Sequence, residues 1–203
     1  MSDSPVVMLE ERAAADGRFL AIATLNSERS LNSLSLDMIN ILLPAMQRWA
    51  QDERIVAVFL QGASEKAFCA GGDVAEVWRA STAGNPRLGR DFWRDEYRMN
   101  VALSEYPKPV VSLMHGFVMG GGVGLGCHVG HRVVGETVQM AMPESGIGLV
   151  PDVGGTLLLS RAPGRLGAYL GLTAARMGPA DAIYAGFADH FIPQGDWPVL
   201  VRR

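Results

Sequence analysis

Apolar residues recur along the chain at two spacings, one typical of strands and one typical of helices. Short apolar runs predict strands at 19–25, 56–61, 110–114, 132–134 and 139–142. Apolar positions three and four residues apart predict helices at 36–51, 73–80, 91–105, 123–128, 157–161, 166–172 and 179–185. The polar or glycine-rich stretches 26–35, 62–72 and 82–90 are predicted to be connections. Since strands and helices alternate, the pattern indicates βαβ units with a parallel sheet, an α/β fold.

Composition fits a single globular domain spanning 1–203, because 48% of the residues are hydrophobic and 19% are charged. The net charge is −3 and no Lys/Arg-rich run occurs, so nucleic acid is not an expected partner. The first eleven residues are acidic and lack the apolar stretch of a signal peptide. No apolar run reaches the ~18 residues of a membrane span. We therefore expect a cytoplasmic protein with no membrane partner.

The two cysteines, Cys69 and Cys127, cannot form a disulfide framework, and their spacing matches no zinc site. We expect both to be small buried thiols in a reducing compartment. No cluster of His, Cys and acidic residues has the spacing of metal ligands, so the sequence predicts no metal.

Three glycine-rich segments carry the candidate chemistry: KAFCAGGD at 66–73, PVVSLMHGFVMGGGVGL at 109–125 and MPESGIGLVPDVGG at 142–155. In the first two, a glycine turn links a predicted strand or loop to a helix, where parallel sheets bind ligands. Two backbone N–H groups directed at one oxygen would form an oxyanion hole. The third segment carries Glu144 and Asp152 on an apolar stretch, where carboxylates are costly without a function or a partner. Together they predict acid–base or nucleophilic chemistry at a carbonyl.

Structural alternatives remain open for each of these features. The glycine turns could be ordinary connectors, Glu144 could cap a helix or form an ion pair, and Asp152 could be an N-cap after a proline. The apolar surroundings of His115 and His128 favour core histidines over ligands. The glycine run is no dinucleotide fingerprint, since Cys127 stands where the third glycine would fall, and neither a phosphate loop nor a serine elbow occurs.

In this order, the three segments resemble those of the crotonase (enoyl-CoA hydratase/isomerase) superfamily, over residues 19–192. The chain is most similar to the 3-hydroxyisobutyryl-CoA hydrolase branch, through the same segments together with FWRDEY at 92–97 and YAGFADHF at 184–191. The resemblance implies the crotonase fold, a spiral of ββα units with parallel sheets. Members of that branch continue beyond the position of Arg203, so the family's C-terminal helices are expected to be missing here.

The resemblance also implies a role for particular side chains and backbone groups. Gly72 and Gly121 match the two oxyanion-hole donors that hold the thioester carbonyl. Glu144 matches the glutamate that the superfamily uses for proton transfer or attack. Asp152 matches the second acid of the hydrolase branch, and Glu96 matches an acid that contacts substrate there.

By the same resemblance, the coenzyme A part of the substrate lies against two loops, 32–34 and 67–71. The residues expected to contact it are Asn32, Leu34, Ala67, Cys69, Ala70 and Gly71. Because coenzyme A belongs to the acyl-CoA substrate, no separate cofactor is expected. The family habit also implies a homo-oligomer, a trimer or a hexamer.

One departure from the family pattern separates the candidate reactions. Enoyl-CoA hydratases carry a second catalytic glutamate two residues after the glycine triplet, where this chain has Gly124. The remaining acids, Glu144 and Asp152, fit thioester hydrolysis or a proton-shifting isomerisation better than addition of water to a double bond. The leading hypothesis is a CoA-thioester hydrolase acting on 3-hydroxyisobutyryl-CoA. The alternatives are an enoyl-CoA hydratase or isomerase, and a non-catalytic module that binds CoA.

Overall fold

The computed structural model describes residues 4–14 and 17–201. Its strands are β1 (Val7–Ala13), β2 (Phe19–Leu25), β3 (Ile55–Gly62), β4 (Ala67–Cys69), β5 (Val110–Met114), β6 (Phe117–Met119), β7 (His131–Val134), β8 (Gln139–Ala141) and β9 (His190–Phe191). Its α-helices are α1 (Leu36–Gln51), α2 (Val74–Thr82), α3 (Arg87–Ser104), α4 (Gly121–Cys127), α5 (Gly155–Arg161), α6 (Leu166–Thr173), α7 (Pro179–Tyr184) and α8 (Trp197–Leu200). Short 3-10 helices occupy Glu28–Ser30, Glu144–Ile147 and Gln194–Asp196.

The strands form two sheets. A six-stranded sheet has the order β1-β2-β3-β5-β7-β9, and a three-stranded sheet has the order β4-β6-β8. β1 pairs with β2 antiparallel, and every other pairing of named strands is parallel. The predicted α/β class with parallel sheets is therefore confirmed.

The two sheets are built by one repeating path. Each of β3, β5 and β7 lies in the large sheet, and the next strand along the chain lies in the small sheet. A helix then follows: α2 after β4, α4 after β6, and the 3-10 helix Glu144–Ile147 after β8. This is the predicted spiral of ββα units. Because β4, β6 and β8 are parallel neighbours, the three turns that leave them meet at one edge of the small sheet.

Long apolar patterns were predicted most accurately. β2, α1 and β5 have the predicted bounds, and the Oγ of Ser35 caps α1 by accepting the N–H of Met38. The apolar face of α1 is buried on the large sheet, where Trp49 is fully enclosed. Full burial of such a side chain stabilises the fold by roughly 1.5–3 kcal/mol, so this face alone strongly favours the helix.

Several short elements were missed. β4 lies within the connection predicted at 62–72, and β6 lies between the strand predicted at 110–114 and the helix predicted at 123–128. Both were missed because three residues are too few to display a period. β1 was missed because most of its residues are exposed, and it forms by pairing with β2. The connection predicted at 82–90 is shorter, since α2 reaches Thr82 and α3 begins at Arg87. Residues 1–3 of the acidic N-terminal segment lie outside the described residues.

Within the described part of the chain, no helix combines the length and the apolar character needed to cross a membrane. The same residues contain no group of three or more His, Cys, Asp and Glu side chains arranged to hold a metal ion.

Candidate active site

Two glycine turns meet beside the small sheet. β4 leads through Gly71 into Gly72, and β6 leads through Gly120 into Gly121, the first residue of α4. The strands are paired, so the turns emerge side by side. A Cβ placed on Gly121 would lie 3.0 Å from the backbone N of Gly72. Real Cβ atoms rarely come so close to backbone, so only a glycine fits at this approach.

The N–H groups of both turns are available to a ligand. Gly121 begins α4, so its N–H has no acceptor within the helix. Leu34 and Gly72 form an isolated parallel bridge, in which the N–H of Leu34 donates to the carbonyl of Gly71 and the N–H of Asp73 donates to the carbonyl of Leu34. The N–H of Gly72 takes no part in these two bonds. Gly120 has a φ of 45°, a conformation that favours glycine and turns the chain sharply into α4. The two predicted donors, Gly72 and Gly121, are therefore neighbours.

Glu144 lies next to this pair. It begins the 3-10 helix after β8, is 6% exposed, and its Oε1 occupies the space that a Cβ on Gly120 would need. Burial raises the pKa of this carboxyl to about 7, with a further contribution from the charge of Asp152, while a hydrogen bond from its own backbone N–H acts in the opposite direction. A carboxyl with this pKa is ionised in part at neutral pH and is a stronger base than an exposed one.

Glu96 reaches the site from α3. Its side chain is 2% exposed, and its Oε1 lies 2.6 Å from the position of a Cβ on Gly121 and 3.9 Å from one on Gly72. Burial, followed by the charges of Asp152 and Glu144, raises the pKa of Glu96 to about 8. At neutral pH this carboxyl is mostly protonated, so it can donate a hydrogen bond.

Asp152 completes the acid group. Its Oδ2 accepts a 2.8 Å hydrogen bond from the hydroxyl of Tyr97 on α3. The N-cap position of α5 is occupied by Gly154, and no side-chain cap is formed there, so the alternative that Asp152 is an N-cap is wrong. Glu96, Glu144 and Asp152 line one cleft, and no Lys, Arg or His is among the described residues that line it. Glu144 therefore has no basic side chain within this cleft with which to form the ion pair that was the alternative for it.

The predicted CoA contacts divide into two groups. Ala70 and Gly71 line the cleft. The other four, Asn32, Leu34, Ala67 and Cys69, are completely buried. The side-chain amide of Asn32 donates to the backbone carbonyls of Ala67 and Phe68, which fixes the loop behind the cleft. We interpret these four as supports of the loop that carries Ala70 and Gly71 into the cleft, because their side chains offer no surface to a ligand.

The predictions for the two cysteines and for His115 agree with the structure, whereas His128, which was also predicted to be a core residue, is only partly buried. Both cysteine thiols are buried, which raises the pKa of each to about 12. His115 and His128 each place Nε2 2.6 Å from a backbone carbonyl, of Ser64 and Val153 respectively. Neither histidine is among the residues that line the acidic cleft.

Asn100 was missed by the sequence analysis. It lies one helical turn after Glu96 on the buried face of α3. Its amide lies against Gly124: a Cβ there would be 3.1 Å from both the Oδ1 and the Nδ2 of Asn100, and 2.7 Å from the Cβ of Val153. A polar residue at i+4 from Glu96 on an otherwise apolar helix face was the available signal. The same contacts show that position 124 has no room for a glutamate in this packing.

Comparison with known proteins identifies the family. A family model described as enoyl-CoA hydratase/isomerase matches residues 20–203. The chain belongs to the enoyl-CoA hydratase/isomerase family. The family assignment made from the three glycine-rich segments is therefore confirmed.

Curated relatives within this family support the hydrolase branch. The chain is 46% identical over 179 residues to the mitochondrial 3-hydroxyisobutyryl-CoA hydrolase of Xenopus tropicalis. The aligned region covers 88% of this chain and 46% of the relative. The resemblance to that branch is confirmed. The chain spans about half the length of the curated relatives it matches. Relatives from Xenopus tropicalis, chicken and rat are named as mitochondrial, so the cytoplasmic expectation is wrong.

Solved structures of family members agree on the fold. A structure described as an enoyl-CoA hydratase from Rhodobacter sphaeroides is 53% identical, with a TM-score of 0.90 over 97% of this chain and 57% of that one. A carnitinyl-CoA dehydratase from Mycobacterium thermoresistibile is 45% identical, with a TM-score of 0.91 over 98% of this chain and 57% of that one. The family fold is thus retained throughout the described residues.

Proposed function

We propose that this chain carries the acyl-CoA site of a CoA-thioester hydrolase, with 3-hydroxyisobutyryl-CoA or a related β-hydroxyacyl-CoA as substrate. The curated relatives carry the name of that hydrolase at 41–46% identity. The observation that carries the proposal is the composition of the cleft. Three carboxyl groups surround two backbone N–H groups. Gly124 stands where a hydratase would carry its second glutamate, and the space that such a side chain would need is occupied by Val153 and Asn100.

The first role is that of the oxyanion hole. The N–H groups of Gly72 and Gly121 would donate to the thioester oxygen and stabilise the negative charge that develops there. Loss of one such donor typically costs roughly 3–4 kcal/mol of transition-state stabilisation. Ala70 and Gly71 would contact the CoA portion at the mouth of the cleft.

The acids would then divide the chemistry. Glu144 attacks the polarised carbonyl or activates water, in keeping with a pKa raised to about 7. Asp152 orients the β-hydroxyl of the substrate or carries a proton, and protonated Glu96 donates a hydrogen bond to the acyl group. Hydrolysis of a thioester consumes only water, so the proposed reaction needs no cofactor besides the CoA of the substrate. A homo-oligomer, trimer or hexamer, remains a prediction that light scattering would test.

A second candidate is an enoyl-CoA hydratase or isomerase. It is favoured by the 53% identity to a structure described as an enoyl-CoA hydratase and by the position of Glu144, which can transfer protons in either reaction. The two candidates predict different products from different thioesters, so one assay separates them.

The deciding experiment measures thiol release from 3-hydroxyisobutyryl-CoA and from crotonyl-CoA by the purified protein. Thiol released from the hydroxyacyl thioester supports the hydrolase. Loss of enoyl absorbance from crotonyl-CoA without thiol release supports the hydratase or isomerase. CoA binding without turnover of either thioester would contradict both and favour a non-catalytic module.

Glu144→Gln tests the central acid. It removes the nucleophile or base but keeps the size of the side chain. We expect turnover to fall by at least about 100-fold, a usual contribution of acid–base catalysis, while affinity for a non-hydrolysable thioether analogue stays within twofold. An equal loss of turnover and binding would contradict the assigned role.

A further inference from the structure

The segment that carries Asp152 into the cleft is a strained turn. The N–H of Gly155 donates a 2.6 Å hydrogen bond to the carbonyl of Asp152, so residues 152–155 close a turn with Val153 and Gly154 at its centre. Both central residues have positive φ, 46° for Val153 and 74° for Gly154. Such a turn favours Gly, Asn or Asp at both positions. Among the described residues, Val153 is the only β-branched residue with positive φ, where a β-branched side chain is a genuine outlier.

Helix α4 holds this turn at two points. The side chain of Val153 is 3% exposed and packs on Gly124, where a Cβ would lie 2.7 Å from the Cβ of Val153. His128, the C-cap residue of α4, places its Nε2 2.6 Å from the carbonyl oxygen of Val153. Because a carbonyl can only accept, the ring nitrogen donates this hydrogen bond. A backbone conformation this strained persists only where its surroundings impose it, and these two contacts do so.

The ring of His128 also covers Gly154. A Cβ on Gly154 would lie 2.5 Å from the Nε2 and 2.7 Å from the Cε1 of His128. Glycine is therefore needed at this position for room as well as for its positive φ. The imidazole lies against two consecutive residues of the turn, and its hydrogen bond fixes the direction of the Val153 carbonyl, which apolar packing alone would not do.

Helix α4 begins at the oxyanion hole and ends at this turn. Its first residue is Gly121, and His128 follows its last residue. All seven residues of α4 are buried, so neighbouring elements hold the helix in place. The same helix therefore sets the position of the Gly121 N–H and the position of the turn that carries Asp152. On the other side of the turn, the hydroxyl of Tyr97 holds the carboxylate of Asp152.

We propose that His128 is a positioning residue for Asp152: its hydrogen bond to the carbonyl of Val153 holds the strained turn so that the carboxylate of Asp152 faces the cleft. The proposal rests on the proposed hydrolase function, in which Asp152 orients the β-hydroxyl or carries a proton. His128 touches neither the substrate nor the reacting atoms in this role. Without its hydrogen bond, Val153 relaxes toward negative φ, and the backbone of Asp152 turns away from the other two acids.

His128→Leu removes the donor, and His131→Leu, at an exposed histidine at the start of β7, is the matched control. We expect kcat on 3-hydroxyisobutyryl-CoA to fall by at least about tenfold in His128→Leu, since a displacement of about 1 Å at a reacting group can cost roughly 100-fold. KM should change by less than about twofold, because His128 is not among the described residues that line the cleft. His128→Gln keeps an N–H that can reach the same carbonyl, so its kcat should stay within about threefold of the unmodified protein.

A double variant shows whether His128 acts through Asp152. Asp152→Asn alone should lower kcat, because an amide cannot take up the proton. Adding His128→Leu to Asp152→Asn should lower kcat by less than about twofold further, since residues that act through one group have non-additive effects. A general weakening of the fold would instead multiply the two losses. Thermal unfolding verifies that each variant is folded.

The outcomes distinguish the two levels of the proposal. The role of His128 would be overturned, with the hydrolase left standing, by a kcat of His128→Leu equal to that of the control or by an equal loss in His128→Gln. The full loss in the Asp152→Asn background, or no loss in Asp152→Asn itself, would overturn it as well. No thiol release by the unmodified protein would overturn the hydrolase and this inference with it. If His128→Leu does not fold, His128→Asn shortens the donor beyond reach of the carbonyl, and the same results are required of it.

Discussion

The hydroxyl of Tyr97 donates a hydrogen bond of 2.8 Å to the Oδ2 of Asp152, which joins α3 to the loop that leads into α5. Burial, the bond itself and the charge of Asp152 all raise the pKa of Tyr97, so the phenol remains a donor at any pH of interest. The bond holds the carboxylate of Asp152 in one orientation beside the cleft. Tyr97 is therefore a positioning residue for Asp152.

Tyr97→Phe should lower kcat by about tenfold, since a hydrogen bond to a charged group is worth roughly 1.5 kcal/mol or more. KM should change less, because the ring remains and the cleft keeps its shape. Steady-state kinetics on 3-hydroxyisobutyryl-CoA measure both quantities. Tyr184→Phe, at an exposed tyrosine on α7, is the control and should behave as the unmodified protein. A change in KM alone would contradict the positioning role.

The pH dependence of kcat/KM should have two limbs. Activity should rise with pH as Glu144 ionises, with a midpoint near its pKa of about 7, and fall as Glu96 loses its proton near its pKa of about 8. In Asp152→Asn, a negative charge that raises both pKa values is removed, so both limbs should move to lower pH. The midpoints are fitted from the residual rate, with Asp181→Asn as the control. Limbs that stay in place would show that Asp152 is not coupled to these acids.

Glu96 should make stability depend on pH. Its pKa in the folded protein, about 8, lies above the ordinary value of 4.5, so its contribution to stability is fully present below pH 4.5 and is lost as pH rises through 8. The free energy of unfolding of Glu96→Gln relative to the unmodified protein should therefore increase between pH 5 and pH 9, by at least about 1.4 kcal/mol, the equivalent of one pKa unit.

Urea unfolding at the two pH values measures this difference. Glu105→Gln, at an exposed position after the end of α3, is the control. A difference for Glu96→Gln that does not vary with pH would mean that this carboxyl is not held protonated in the folded protein.

Gly124→Ala should destabilise the fold by about 1–3 kcal/mol, the usual cost of overpacking a core. The added methyl would lie 2.7 Å from the Cβ of Val153 and 3.1 Å from the amide of Asn100. Gly130→Ala is the matched control, because a Cβ there has nothing within 4 Å. Thermal unfolding compares the two variants. Equal melting temperatures would contradict the tight packing at position 124.

The same packing bears on the choice of reaction. Gly124→Glu places a longer chain in the occupied space, so it should lower stability further and should not create hydratase activity on crotonyl-CoA. A gain of hydration in a folded Gly124→Glu variant would show that the α4 surroundings can rearrange, and would favour the second candidate function.

The sequence predicted the parts of the fold whose information is local. α1 needs only its own apolar period and the Ser35 cap. β2 and β5 are apolar runs that are long enough for a buried strand and too short for a typical helix. β4 and β6 could not be predicted in this way, because three residues in each obtain their conformation from pairing with neighbours far along the chain. The motifs around Gly72 and Gly121 could be found from glycine spacing, although the strands that deliver them could not.

By itself, the sequence determined the family, the α/β class and the identities of the acids and glycines that carry the candidate chemistry. The tertiary structure decided how these groups act on one another. The backbones of Gly72 and Gly121 become neighbours because β4 and β6 pair. The pKa values of Glu96 and Glu144 rise first because both carboxyls are buried, and further because neighbouring carboxylates lie in the same cleft. The packing of the Asn100 amide against Gly124 became visible for the same reason, since it depends on how α3 and α4 lie together.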